Sequence, residues 1–130
     1  MKTAAQVGAN QADLATITLD DERPLSWNNL YSGKFHWSQR NAEANRVHLL
    51  VLAALDPDTV QMFTGPVAIT VTVYFRNRPF DPDNICAKLY IDGLKDRIIE
   101  DDTPAQVASV TTVSKVDKER PRVEIEVRAA

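Results

Sequence analysis

The sequence predicts a single α+β domain, a small mixed β-sheet with two helices packed on it. Three patterns predict it. Val67, Ile69, Val71, Val73 and Phe75 alternate with Ala68, Thr70, Thr72 and Tyr74, the period of a strand. Val123, Ile125 and Val127 alternate with Glu124, Glu126 and Arg128, a strand with one solvated face. Val47, Leu50, Val51 and Ala54, and later Ala87, Tyr90, Ile91 and Leu94, recur at helical spacing. The 130 residues suffice for one domain with its own core.

In chain order, residues 1–14 read as a loose tail, small and polar with no period, and 15–130 as the domain. Ala15–Leu19 is a short strand with Ile17 and Leu19 on one face. Asp20–Gly33, with Pro24, Asn28 and Asn29, reads as loop. Ser38 is the expected N-cap of a helix running to about Leu55, with Leu49 and Leu52 widening its buried face and Asp56-Pro57-Asp58 ending it. Trp37, just before that helix, reads as a core anchor. Thr64-Gly65-Pro66 is a turn, followed by the Val67–Phe75 strand. After Thr103-Pro104, Val107–Val116 is β-branched and reads as a strand, though its alternation is irregular. Lys118–Pro121 reads as a hairpin turn, which would make the last two strands antiparallel neighbours. The order is β, α, β, α, β, β.

The chemistry concentrates in Asp81–Asp102, DPDNICAKLYIDGLKDRIIEDD. Asp81-Pro82 is a helix-start signal, with Asp81 placed to cap. A helix from Pro82 to about Asp96 would be roughly 21 Å long at ~1.5 Å per residue. The following segment to Asp102, if extended, spans roughly 20 Å at ~3.3 Å per residue. A reversal after Leu94 or Asp96 would bring Asp101 and Asp102 back beside Asp81 and Asp83. Carboxylates that converge repel one another unless a cation sits between them, and oxygen donors suit Mg²⁺ or Mn²⁺. Each piece also has a plain structural role: Asp81 as a cap, Asp101-Asp102 as a solvated turn, Lys88 paired with Asp92 at i+4.

These residues carry a resemblance. Asp81-x-Asp83-Asn84, Lys88, Asp92-Gly93-Leu94 and Asp101-Asp102 resemble the signature of the RusA-type Holliday-junction resolvases, small Mg²⁺-dependent endonucleases often carried by phages and prophages. Upstream, Thr16–Leu19, Pro24, Asn28-Asn29 and Tyr31 resemble that family's first strand and Asn-containing loop. The resemblance spans about Thr16 to Val127. It implies a RusA-like fold and a homodimer that places two sites on one four-way DNA junction. It implies Asp81, Asp83 and Asp102 as essential metal-binding acids with Asp101 beside them, and Lys88 as the catalytic lysine. One departure is a three-residue spacer, Ile85-Cys86-Ala87, where familiar members have two. An extra helical residue would turn Lys88 by about 100°. Either the helix starts later or Lys88 is not the equivalent residue.

A net charge of −3 and a pI near 5.3 argue against indiscriminate nucleic-acid binding. Any DNA surface must be a local patch. The candidates are Lys34, Arg40 and Arg46, interleaved with Trp27, Tyr31, Phe35 and Trp37, then Arg76 and Arg78 leading into Asp81, and Asn84. The single cysteine, Cys86, has no internal partner, which with the absence of a signal-peptide pattern points to the cytoplasm. No apolar run is long enough to span a membrane. His36 and His48 have no cysteine at zinc spacing. The function expected is a Mg²⁺-dependent nuclease on branched DNA. Its alternatives are a catalytically silent DNA-binding or regulatory protein on the same fold, and a nucleotide phosphohydrolase, for which no glycine-rich phosphate loop speaks.

Overall fold

The computed structural model describes residues 14–55 and 62–130. Residues 1–13 of the expected tail and the Asp56-Pro57-Asp58 helix stop lie outside the described residues, whereas Leu14 already belongs to the first strand. The elements are β1 (Leu14–Asp20), α1 (Trp27–Leu30), α2 (Trp37–Ala54), β2 (Val67–Phe75), a 3₁₀ turn (Pro82–Asn84), α3 (Lys88–Leu94), β3 (Val107–Val116) and β4 (Arg122–Ala129). The fold is α+β, a mixed four-stranded sheet with three helices packed on it, as expected in class and with one helix more. The extra helix, α1, falls where a loop was expected. Ser26 caps it by accepting the Asn29 N–H at 3.1 Å.

The sheet order β1-β4-β2-β3 corrects one expectation. The last two strands are not neighbours. β4 runs antiparallel between β1 and β2, and β3 runs parallel to β2 on its far side. The segment after β3 does not fold back on it but crosses the end of β2, where the Asp117 N–H donates to the Phe75 carbonyl at 2.8 Å. Burial explains the choice. Val123, Ile125 and Val127 are fully covered and sit opposite Val73, Val71 and Ile69 in the sheet centre. β3 is largely exposed, which suits an edge and accounts for its irregular pattern. A parallel β2–β3 pair requires a long crossover, and segment 76–106, which carries the acids and α3, is that crossover.

The helices cover one face of the sheet. Val47 and Val51 of α2 and Tyr90, Ile91 and Leu94 of α3 meet the β2 and β4 side chains there. Burying each such aliphatic side chain contributes roughly 1.5–3 kcal/mol. α2 and α3 approach closely because Gly93 sits against Val51, where a Cβ would come within 2.9 Å of the Val51 Cβ. Among the described residues, no helix is long and apolar enough to cross a membrane.

Three further expectations around α2 are corrected. Its N-cap is His36, not Ser38. The His36 Nδ1 accepts the Ser38 N–H, and Gln39 Oε1 accepts the His36 N–H at 2.7 Å, a reciprocal capping box. Trp37 is no core anchor, being 60% exposed, and Leu49 does not widen the buried face, being 65% exposed. Trp37 stands roughly 15 Å along the helix from Val47 at ~1.5 Å per residue, beyond the covered part. Leu49 lies about 200° round the helix from both Val47 and Val51.

Candidate functional site

The single helix expected over Pro82–Asp96 is broken in two. After β2 the chain turns back through Arg78, which takes a left-handed φ of 51°. It is then lashed to the edge strand. The Ser114 hydroxyl donates to the Phe80 carbonyl at 2.6 Å and the Thr112 hydroxyl to the Pro82 carbonyl at 2.7 Å. The 3₁₀ turn follows, closed by the Asn84 N–H on the Asp81 carbonyl at 2.9 Å. Asp81 precedes the turn in an extended conformation, and its side chain does not cap it. The Asp81 and Asp83 side chains are therefore held on a fixed backbone and point to solvent.

The turn is also tied to the upstream loop. Asn84 Oδ1 accepts the Asn28 N–H at 3.1 Å, and Ile85 forms an antiparallel bridge with Ser26. Ile85, Cys86 and Ala87 are buried, and Ile85 runs extended as the cap of the turn before it. α3 then begins at Lys88. The three-residue spacer Ile85-Cys86-Ala87 therefore lies ahead of the helix and adds no residue to α3. The Lys88 ammonium stands 3.4 Å from Asp92, both side chains well exposed.

Lys88 and Asp92 border a cavity of about 190 Å³ between α1, α2 and α3. Leu30, Ala44, Cys86 and Leu89 give it an aliphatic floor, and Tyr31, Arg40 and Asn41 complete its rim. Burial pushes the Cys86 thiol up, so it stays a neutral floor group. Arg40 is held in place, donating to the Phe35 carbonyl at 3.1 Å and the Leu30 carbonyl at 3.4 Å, with its guanidinium 5.0 Å from the Tyr31 ring centroid.

The chain does reverse after Leu94, through Asp96 at a φ of 67°, with Ile98 and Ile99 buried and Phe63 bridging Ile99. Asp101 and Asp102 follow, ahead of β3. Gln106, buried, organises them: its Oε1 accepts the Glu100 and Asp101 N–H groups at 2.7 and 3.0 Å, while its amide donates to the Phe63 carbonyl at 2.6 Å. Asp101 Oδ1 accepts the Asp102 N–H at 2.8 Å and lies 3.4 Å from the Lys95 ammonium. The Asp102 N–H, and then Lys95, hold the Asp101 carboxyl below its usual range. Among the described residues, no group of three or more His, Cys, Asp or Glu side chains stands close enough to hold a metal ion. The reversal therefore does not gather Asp101 and Asp102 with Asp81 and Asp83 as expected: the acidic turn lies along β3 at Thr112, and the Asp101-Asp102 pair precedes that strand.

The basic candidates divide. Lys34 and Arg78 are exposed. Arg76, also exposed, donates to the Lys118 carbonyl at 3.1 Å. Arg46, though 45% exposed, has its donors taken by the protein's own carboxylates: its Nη1 and Nη2 donate to Glu22 at 2.9 Å each, and its Nε and Nη2 to Glu43 at 2.9 and 2.8 Å. The Tyr90 hydroxyl donates to the same Glu22 carboxylate at 2.7 Å. Sequence reasoning did not single out Glu22, Gln106, or Arg23, whose guanidinium covers the Phe75 and Phe80 rings at 5.2 and 5.0 Å. Their partners are distant in the chain, and no local pattern marks them.

Residues 27–128 match the family model described as Endodeoxyribonuclease RusA, a match covering most of the chain, so the chain belongs to the RusA family. No curated protein matches it.

Proposed function

From this family membership, which supports a resolvase-type nuclease in general terms, we propose that the protein is a Mg²⁺-dependent endonuclease that resolves four-way DNA junctions by paired symmetric nicks. The observation that carries the reading is the acidic turn: Asp81 and Asp83 are presented on backbone tied to β3, immediately before the helix that opens with Lys88.

The donor chemistry fits Mg²⁺, with Mn²⁺ as a substitute, because hard carboxylate oxygens are presented to water. Mg²⁺ keeps several waters and commonly takes only one or two carboxylates besides substrate phosphate, so a pre-gathered cage is not required. Asp81 and Asp83 would supply the first carboxylates, and Asp102, with Asp101 adjacent, would join them only once ion and DNA phosphate are bound. When bound, the ion would activate water and offset charge on the phosphate. The protein's own contribution is positioning. Thr112, Ser114 and the Asn28–Asn84 bond fix the turn, and Gln106 fixes the Asp101-Asp102 backbone. Lys88 supplies an ammonium toward the reacting phosphate, where charge develops. Lys34, Arg40, Arg76 and Arg78, with Asn84 at the turn, would contact the DNA backbone near the branch. Arg46 has its donors occupied by Glu22 and Glu43 and is left out of that surface. One acidic site per subunit makes one nick, so paired nicks call for a homodimer about a two-fold axis.

The test is Mg²⁺-dependent cleavage of four-way, three-way, flap and linear DNA at one salt concentration, with light scattering for the assembly. Asp83→Asn and Asp102→Asn should abolish cleavage while junction binding survives. Lys88→Ala should lower the single-turnover rate far more than binding. A monomer that cuts linear duplex as fast as junctions would defeat the resolvase reading. Tight junction binding with no cleavage in Mg²⁺ or Mn²⁺ would favour a catalytically silent DNA-binding protein.

A further inference from the structure

We propose that the cavity between α1, α2 and α3 is a receptor for one unstacked nucleobase, drawn from the branch point of the DNA next to the scissile phosphate. The inference rests on the nuclease reading and adds to it a site that reads a base. Its volume, about 190 Å³, falls below the ~300–1,000 Å³ of pockets for drug-sized ligands, so it suits one small planar group. Its chemistry is divided as a base requires. Leu30, Ala44 and Leu89 offer an aliphatic floor to the ring faces. At the rim the Asn41 amide and the Asp92 carboxylate offer donors and acceptors, the pattern that a base edge presents in return, and leave Lys88 to phosphate.

The surroundings favour a base still attached to its strand. Arg40 and Lys88 put two cations at the mouth, where the flanking phosphates of an extruded nucleotide would lie. Lys88 is also the first residue of α3 after the acidic turn, so the cavity adjoins the segment that carries Asp81 and Asp83. The rim is preformed. The Arg40 guanidinium lies 5.0 Å from the Tyr31 ring centroid, the Trp27 ring meets Tyr31 at 5.6 Å in a tilted contact, and Arg40 is fixed by two carbonyls. Tyr31, although 61% exposed, is thereby positioned as a wall of the cavity. Extruding a base costs least where pairing is already interrupted, as at a branch. A base receptor therefore adds selectivity for junctions without a large basic surface, in keeping with the net charge of −3.

The experiment places 2-aminopurine, one position at a time, around the centre of a four-way junction, with the full chain in EDTA so that no cleavage intervenes. A dye on a distal arm reports overall binding by anisotropy. The expected result is a several-fold rise in 2-aminopurine fluorescence at one position on binding, because an aliphatic floor does not quench as stacked bases do. Ala44→Leu, which fills the cavity, and Asn41→Ala, which removes a rim amide from an exposed helical position, should each cut that rise by at least half while junction affinity changes less than about fivefold. Junction binding with no rise at any position, or a rise unchanged in both variants, would overturn the base receptor and leave the nuclease reading standing. No binding to the junction at all would overturn both.

Discussion

Replacing Arg46 by methionine tests whether that residue holds the protein together or holds DNA. The Glu22 side chain is 4% exposed and carries a carboxylate bonded by Arg46 and by Tyr90. Burial, and then the Glu22 charge, push the Tyr90 hydroxyl well above its ordinary range, so it remains a proton donor. Arg46→Met strands the Glu22 charge with a single donor and removes the partner of Glu43. Breaking a buried pair in this way costs about 3–5 kcal/mol. Because the Arg46 side chain is itself 45% exposed, solvent screening discounts that figure, and about 2–4 kcal/mol is expected. With a mid-range urea m-value of about 2 kcal/mol/M, the unfolding midpoint should fall by roughly 1–2 M. Adding Glu22→Gln removes the stranded charge and should recover about half of the loss. Junction affinity measured against salt supplies the other arm. A phosphate contact would contribute about 0.9 to the slope of log K on log salt, and the slope should be unchanged. A midpoint within ~0.3 M of wild type, or a double variant no more stable than the single, would refute the buried-pair account.

Two other perturbations have a sign that the fold decides. In an exposed helix, Gly to Ala adds about 0.8–1 kcal/mol of stability. Gly93→Ala should instead destabilise by about 1–3 kcal/mol in thermal or urea unfolding, because the new methyl would come within 2.9 Å of the buried Val51 Cβ, and a variant as stable as wild type would remove the close approach from the account. Asp117 has its carboxyl held below the ordinary value of 3.8, first by the Arg122 side chain. A depressed folded value means that its stabilisation is present above pH 3.8 and lost as pH falls through the lower folded value. Asp117→Asn should therefore flatten the fall in melting temperature between pH 4 and pH 2, and an acid limb identical to wild type would remove Asp117 from the account.

The sequence by itself determined the clearest strands and marked out a candidate site. Strict alternation at Val67–Phe75 and Val123–Val127 can be satisfied only by one buried face, and both strands appear where the alternation runs. The clustering of Asp81, Asp83, Lys88, Asp101 and Asp102 in one short stretch was legible as a candidate site because residue type and spacing are local. Strand order was not local. Nothing within Lys118–Pro121 says that the chain will cross the end of β2 and not fold back on β3. That depends on which strand gains most from burial on its inward face, and Val123, Ile125 and Val127 outcompete the polar β3 for the centre. The break between the acidic turn and α3 was equally hidden. Helical periodicity from Ala87 onward extended plausibly back to Pro82, but Ile85 is drawn into a bridge with Ser26 and buried, which unwinds the helix before Lys88. The role of Arg46 depended on Glu22 and Tyr90, distant in the chain and brought to one point only by packing. Local propensity writes elements and residue chemistry. Competition for a shared core decides which elements touch, and so which charged groups are tied up within the fold.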